Sequence, residues 1–129
     1  MILVDTSALM ALLLSERYAD DIANVLASEE RVMISAGTLA EALIVADRRG
    51  LSEEMEMLLR GIGVEVDNLT SAGARAVADA YAAWGKGVHP AGLNFGDCFA
   101  YVSAKSHGAP LLYVGDDFSK TDIASVIAN

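Results

Sequence analysis

Short runs of apolar residues alternate along the chain with longer stretches in which apolar positions recur every three or four residues. The short runs predict buried strands at 1–4, 32–35, 64–66 and 111–114. The longer stretches predict helices directly after Ser7, at 18–27, 38–49, from Ser52, at 71–84 and 95–107, with a last short helix from Asp122. Strands that alternate with helices are typical of a parallel sheet covered on both faces. We therefore expect one domain, residues 1–129, with an α/β fold: an α/β/α sandwich built on a short parallel sheet.

Residues that begin and end helices support these assignments. Ser7 and Asn94 are expected N-caps, because their side-chain oxygens accept hydrogen bonds from the free N–H groups of a first helical turn. Gly50 and Gly108 are expected to end the helices that precede them, and Pro110 prevents the second of these from continuing.

The composition indicates a packed globular protein, since 53% of the residues are hydrophobic and 21% are charged. No apolar run approaches the roughly 20 residues needed to cross a bilayer, so no membrane segment is expected. The apolar start, 1–4, has no basic leader and meets Asp5 at once, which argues against a secretory signal. Cys98 is the single cysteine and cannot form an internal disulfide, as expected of a cytoplasmic protein.

The net charge of the chain is −9. A protein that grips nucleic acid over a broad basic surface is therefore not expected. If the substrate is RNA, a bound metal must supply local positive charge, and contacts to phosphate must be few or shared with a second subunit.

Four acidic residues lie where the predicted strands and helices meet one edge of the sheet. Asp5 follows the first strand and Asp116 follows the last. Glu41 lies in the first turn of the helix after the second strand, and Asp97 lies near the start of the helix before the fourth strand. Because ligands of open α/β sheets bind outside the carboxyl ends of the strands, we expect these four acids to converge on one pocket.

Carboxylates that converge in this way repel one another and need a cation between them. Ligand sets made only of oxygen suit Mg²⁺ or Mn²⁺. Such an ion can orient a water molecule, help to deprotonate it and neutralise charge on an attacked phosphodiester.

Each acid also has a structural interpretation. Asp5 and Asp97 are placed to cap the helices that follow them. Asp116 and Asp117 lie in a turn, where aspartate is common for its own sake. Glu41 is harder to explain in this way, because an unpaired charge among apolar helix positions is costly.

Several segments that contain these acids resemble one family along the whole chain. They are ILVDTSAL at 2–9, the lone Glu41, LNFGDCFAY at 93–101, LLYVGDDF at 111–118 and TDI at 121–123. Together they resemble PIN-domain ribonucleases and, more narrowly, the VapC toxins of bacterial toxin–antitoxin pairs. The GDCFAY segment with the GDDF turn is the most specific part of the match.

The resemblance implies a Mg²⁺-dependent endoribonuclease, with Mn²⁺ as a possible substitute. It implies an active site lined by Asp5, Glu41, Asp97 and Asp116, in which Asp5 and Asp97 are the metal ligands. The neighbouring Asp117 is an alternative fourth acid; Asp116 is preferred because it is nearer the strand end.

The resemblance also implies further contacts and partners. Thr6 and Ser7 are expected to hold the first acid and to touch phosphate, and Lys120, which follows the Asp116 turn, is a candidate RNA contact. The family forms dimers and is silenced by a cognate antitoxin whose tail covers the site. A basic tail would suit the acidity of this chain, because arginine forms bidentate pairs with carboxylates.

Other residues and other functions are less favoured. His89, in a glycine-rich loop, and His107, at a helix end, are not expected to be catalytic, and Cys98 is expected to be a buried hydrophobe. A phosphorelay receiver domain would need a second acid beside Asp5 and a lysine directly after the last strand, and the chain has neither. A haloacid-dehalogenase-type phosphatase would need an acid at position 7, where the chain has Ser7. A catalytically silent toxin-like binding module is disfavoured because all four acids are present.

Overall fold

The computed structural model describes residues 1–127. Its sheet has four strands in the order β3-β2-β1-β4, and every strand pairing is parallel. The strands are β1 (Ile2–Val4), β2 (Val32–Ser35), β3 (Glu65–Asp67) and β4 (Leu111–Leu112). The predicted short parallel sheet is confirmed.

Helices cover both faces of this sheet. They are α1 (Thr6–Leu13), α2 (Ala19–Ser28), α3 (Ala36–Arg48), α4 (Ser52–Ile62), α5 (Ser71–Trp84) and α6 (Phe95–His107). Successive strand residues point to opposite faces: Ile2 and Val4 pack into a core with α1 to α4, whereas Leu3 packs into a second core with α5 and α6. The strands are therefore apolar on both faces, and the α/β/α sandwich is confirmed.

Three strands differ from the prediction by one or two residues at an end. β1 begins at Ile2 instead of residue 1. β3 runs from Glu65 to Asp67 instead of 64–66. β4 ends at Leu112 instead of 114, because the N–H of Val114 donates to the Ser7 hydroxyl and not to a neighbouring strand. The third helix begins at Ala36, where Ser35 caps it, and not at 38.

The predicted helix from Asp122 was wrong. A short 3₁₀ helix forms earlier, at Phe118–Lys120, and the chain after it runs beside β4. The N–H of Leu111 donates to the Ala124 carbonyl, and the N–H of Val126 donates to the Leu111 carbonyl. These bonds satisfy backbone groups along the outer edge of β4 that a helix would leave unpaired.

Within residues 1–127, no helix is long and apolar enough to span a membrane.

Candidate metal centre and active site

Asp5 lies between β1 and α1, at the carboxyl edge of the sheet. Its Oδ2 atom accepts hydrogen bonds from the backbone N of Ser7 at 3.1 Å and from the Ser7 hydroxyl at 2.7 Å. Asp5 is thus the N-cap of α1, and the expectation that Ser7 caps this helix was wrong. The Ser7 hydroxyl acts instead as a bridge, because it also accepts from the Val114 N–H at 3.0 Å.

The second oxygen of Asp5 has no hydrogen-bond partner. Asp5 is 3% exposed, and its Oδ1 atom is buried and unbonded. Burial raises the pKa of Asp5 from 3.8 to about 7; the hydrogen bonds from Ser7 oppose this rise, and the charges of Asp97 and Glu41 add to it. A buried carboxylate oxygen without a donor is costly, so this atom is well suited to meet a cation.

Asp97 has one of the two roles that its position suggested, that of a helix cap, and its role as a metal ligand stays a prediction. It forms a capping box with Asn94: the Asn94 N–H donates to Asp97 Oδ2 at 3.0 Å, and the Asp97 N–H donates to Asn94 Oδ1 at 2.8 Å. The pKa of Asp97 is raised from 3.8 to about 6, mainly by burial and also by the charges of Glu41 and Asp117, while the hydrogen bond with Asn94 opposes the rise. The carboxylate is therefore a helix cap that also faces other acids.

Glu41 is held beside Asp5 and Asp97 by a neighbour of Asp5. The Thr6 hydroxyl donates to Glu41 Oε1 at 2.7 Å, and Thr6 is buried. Of the two residues expected to hold the first acid, only Ser7 contacts Asp5, whereas Thr6 holds Glu41. Because α3 begins at Ala36, Glu41 lies in its second turn and not in its first.

Gly96 lets the start of α6 approach Glu41 closely. A Cβ atom added at this position would collide with the Glu41 carboxylate. A side chain here would push Glu41 away from its place between Thr6 and Asp97. The absence of a side chain at Gly96 is thus part of how the acids come together.

We expect Gly96→Ala to be less stable than the matched variant Gly61→Ala by about 1–2 kcal/mol. Both glycines lie inside helices, but a Cβ at Gly61 meets nothing within 4 Å. Alanine at 61 should stabilise its helix, whereas alanine at 96 displaces Glu41 from the Thr6 hydroxyl. Urea denaturation of the two variants measures the difference, and equal midpoints would show that Glu41 moves aside at no cost.

The fourth acid lies in the turn after β4. Asp116 and Asp117 are both exposed, and of these two it is Asp117 whose charge adds to the rise in the pKa of Asp97, which is caused mainly by burial. The Asp116 carbonyl accepts a hydrogen bond from the Ser119 hydroxyl. The preference for Asp116 stays a prediction, and the electrostatics favour its neighbour. Lys120 is exposed at the end of the 3₁₀ helix, and its RNA contact also stays a prediction.

The acids do not form a closed cage as their side chains stand. Within residues 1–127, no group of three or more His, Cys, Asp or Glu side chains lies close enough to enclose a metal ion. Mg²⁺, however, usually keeps several waters and is bound through one or two carboxylates together with substrate phosphates. The unbonded Asp5 oxygen and the raised pKa of Asp97 fit such an open site.

An apolar groove beside the acids was missed in the sequence. Phe95 is 69% exposed and Ile44 is 57% exposed. With Phe99 and Glu41 they line a cavity of about 320 Å³ between α3 and α6. The only sequence signals were an aromatic residue in the first turn of α6 and an isoleucine three positions after Glu41.

The two histidines lie in structural contacts elsewhere. His107 pairs with Asp67 at 3.2 Å, and His89 stacks edge-on against Trp84 while its Nδ1 accepts from the Ala91 N–H. Cys98 is buried, and burial raises the pKa of its thiol to about 11.

Comparisons with known proteins agree along the whole chain. A family model described as PIN domain matches residues 2–124. Ribonuclease VapC30 of Mycobacterium tuberculosis is 43% identical over 126 residues, which cover 95% of this chain and 96% of that protein. Ribonuclease VapC of Mycolicibacterium smegmatis is 39% identical, with 95% and 98% of the two chains covered.

Solved structures show the same fold at lower identity. The crystal structure of Mycobacterium tuberculosis VapC20, described as a toxin that cleaves the sarcin–ricin loop, superposes with a TM-score of 0.79 at 19% identity and covers 98% of each chain. A toxin–antitoxin complex from Klebsiella pneumoniae superposes with a TM-score of 0.72 at 20% identity, covering 95% of this chain and 93% of that one.

Proposed function

The chain belongs to the PIN domain family, and on that premise we propose that it is a metal-dependent endoribonuclease, the toxin of a toxin–antitoxin pair. The observation that carries the proposal is the buried, unbonded Asp5 oxygen, on a carboxyl group whose pKa is raised mainly by burial and further by the charges of Asp97 and Glu41. Relatives of similar length are named ribonucleases. The receiver-domain and phosphatase alternatives lose their support with the family match.

In the proposed mechanism, Asp5 and Asp97 would hold a Mg²⁺ ion, for which Mn²⁺ could substitute. When bound, this ion supplies positive charge that offsets the charge of the phosphodiester and polarises a water. Ser7 keeps Asp5 in place through Oδ2, which leaves Oδ1 without a hydrogen-bond donor and available to a cation. The cap on α6 fixes Asp97 in the same way.

Glu41 is the residue that we assign to proton transfer. Its Oε1 atom is held by the Thr6 hydroxyl, and its other oxygen lies against Gly96. That oxygen is placed to accept a proton from an attacking water. Thr6 is buried and already engaged, so its expected contact with phosphate is secondary to positioning Glu41.

The activity is tested by incubating the purified protein with total RNA in Mg²⁺ and, in parallel, in excess EDTA. We expect cleavage at internal sites in Mg²⁺ and none in EDTA. Equal cleavage in Mg²⁺ and in EDTA would contradict the proposed metal dependence. No cleavage of any RNA would favour the silent binding module instead.

The fourth acid is tested by two matched variants, Asp116→Asn and Asp117→Asn. Because the charge of Asp117 acts on Asp97, we expect Asp117→Asn to lower cleavage about tenfold or more, as for other groups that support a metal site. Asp116→Asn should have a smaller effect. Initial rates of cleavage measure both, and the reverse order would assign the role to Asp116.

The proposed partner is an antitoxin with a basic tail. Structures similar to this one include toxin–antitoxin complexes, and the chain carries a net charge of −9. Arginine side chains of the tail would pair with the acids, while apolar side chains would pack on Phe95 and Ile44. We also propose a homodimer and a cytoplasmic location, where the RNA substrate is found.

The affinity for the antitoxin should fall with added salt. Attraction between exposed charges is screened over a Debye length of about 10 Å at 0.1 M salt and about 3 Å at 1 M. Calorimetric titration at the two salt concentrations measures the change. An affinity that is equal at low and high salt would leave the groove contacts, and not the charges, as the basis of binding.

A further inference from the structure

Four side chains outside the acid site form a connected hydrogen-bond network on the turn that follows β4. The Trp84 Nε1–H donates to the Tyr101 hydroxyl at 3.0 Å, and this hydroxyl donates to Asp122 Oδ1 at 2.5 Å. The Lys105 ammonium donates to Asp122 Oδ2 at 3.1 Å. We call Trp84, Tyr101, Lys105 and Asp122 the Asp122 clamp. It ties residues of α5 and α6 to the chain that leaves the turn.

The central bond of the clamp is shielded from water on one side. Tyr101 is 8% exposed, and burial together with the Asp122 carboxylate raises the pKa of Tyr101 to about 12. The hydrogen bonds from Tyr101 and Lys105 lower the pKa of Asp122. At neutral pH the phenol therefore keeps its proton and donates it to an ionised carboxylate, which is a strong type of hydrogen bond.

The chain that enters the turn is also held by hydrogen bonds. The Asp5 N–H donates to the Leu112 carbonyl, and the Val114 N–H donates to the Ser7 hydroxyl. The turn itself is anchored by Phe118, which is buried and packs on Tyr113. Between these two anchors lie Asp116 and Asp117.

Local bonds connect the clamp to the turn directly. The Thr121 hydroxyl donates to the Phe118 carbonyl, and the Ile123 N–H donates to the Thr121 hydroxyl. Asp122 lies between Thr121 and Ile123, so its backbone stands between the two residues whose hydrogen bonds close the turn. The Asp122 clamp is thus joined to the acidic turn by covalent neighbours and by two hydrogen bonds.

We propose that the Asp122 clamp is a positioning device, which holds the turn acids Asp116 and Asp117 close enough to Asp97 to take part in the metal site. This inference rests on the proposed function. Asp122 itself touches neither the metal nor the substrate. Without the clamp, the exit of the turn keeps its Phe118 anchor and its backbone bonds to Leu111 but loses its side-chain tie to α5 and α6, so the turn acids shift relative to Asp97.

The test measures Mn²⁺ binding by electron paramagnetic resonance, so it does not require an RNA substrate. Asp122→Ala removes the acceptor of the Tyr101 hydroxyl, and we expect it to weaken Mn²⁺ binding about tenfold, as for other groups that orient metal ligands. Asp122→Asn keeps an acceptor oxygen and should bind nearly as the wild type does. Asp79→Ala, on an exposed acid of α5, controls for the lost charge.

A double-mutant cycle separates positioning from general destabilisation. In a background in which Asp116 and Asp117 are both replaced by asparagine, Asp122→Ala should have no further effect on Mn²⁺ binding. An equal loss in both backgrounds would overturn the proposal, as would wild-type binding by Asp122→Ala. If Asp122→Ala does not fold, as judged by thermal unfolding, Tyr101→Phe takes its place in the same cycle.

The cycle also distinguishes failure of the clamp from failure of the proposed function. A wild-type protein that binds no Mn²⁺ contradicts the metal site, and the clamp proposal falls with it. A wild-type protein that binds Mn²⁺, in a cycle without coupling, leaves the proposed function intact and overturns the clamp alone.

Discussion

Asp5→Asn is expected to lower the rate of RNA cleavage by about a thousandfold, the loss of several kcal/mol of transition-state stabilisation. Asparagine keeps an oxygen that accepts from the Ser7 N–H and hydroxyl, so the start of α1 should stay in place. The change removes the negative charge of Asp5 and leaves its size almost unchanged. Cleavage of a defined RNA in saturating Mg²⁺ measures the effect.

The same variant should be more stable than the wild type in the absence of metal. Burial raises the pKa of Asp5 from 3.8 to about 7, so holding the charged form in the fold at pH 8 costs up to about 4 kcal/mol. Asp5→Asn avoids this cost and should therefore gain stability. Part of the gain is lost if the new amide N–H is buried without an acceptor, at a cost of about 1–3 kcal/mol. A net gain of about 1–3 kcal/mol in the free energy of unfolding is expected.

Asp79→Asn, a change at an exposed acid, is the control and should alter neither cleavage nor stability. Two results would contradict the account of Asp5. One is cleavage by Asp5→Asn at the wild-type rate. The other is a variant that is less stable than the wild type at pH 8 without metal, which would mean that the carboxylate stabilises the fold.

The metal-free protein is expected to lose stability as the pH rises from 5 to 8, and Mg²⁺ should restore it. Asp5 and Asp97 have native pKa values of about 7 and about 6, against an ordinary 3.8. A carboxyl group with a raised native pKa contributes stability that is complete below its unfolded pKa. That stability is lost as the pH rises through the native pKa. Most of the loss should therefore fall between pH 4 and 7.

Magnesium competes with protons for the same two carboxylates. It should therefore stabilise the protein at pH 8 by about 3 kcal/mol when present at about a hundred times its dissociation constant, and much less at pH 5. Urea denaturation at both pH values, in MgCl₂ and in EDTA, measures the four free energies. The double variant Asp5→Asn, Asp97→Asn should lack both the fall with pH and the response to Mg²⁺.

A metal-free wild type whose stability is flat or rises from pH 5 to 8 would contradict the burial of two charged carboxylates. An equal stabilisation by Mg²⁺ at both pH values would place the ion elsewhere on the acidic surface, where carboxylates are ionised throughout this range.

The fold could be predicted largely because its strands are apolar on both faces. Ile2, Leu3 and Val4 face different cores, so a continuous apolar run marked β1 without ambiguity. The structure of the segment after Asp122 was not predicted correctly, because it depends on hydrogen bonds with β4 and not on the segment's own pattern of apolar residues. Local sequence does not contain that information.

The positions of the acids followed from topology, whereas their partners did not. Parallel strands end at one edge, and Glu41 and Asp97 lie near enough to Asp5 for their charges to add to the rise in its pKa, while the four-acid site stays a prediction. Which hydroxyl holds which acid depends on side-chain directions at the start of α1, which spacing does not reveal. The choice between Asp116 and Asp117 depends on the turn at Gly115, whose φ of 107° only glycine adopts readily.

A substitution at Asp97 gives the most direct test of whether the acid site carries out metal-dependent cleavage of RNA. Asp97→Asn keeps an oxygen for the Asn94 N–H and so preserves the cap of α6, while it removes one charge from the site. The measurement is the rate of RNA cleavage as a function of Mg²⁺ concentration for the wild type and for this variant. We expect a saturating dependence on Mg²⁺ for the wild type and almost no cleavage by the variant at any concentration. Equal curves for the two proteins would contradict this expectation.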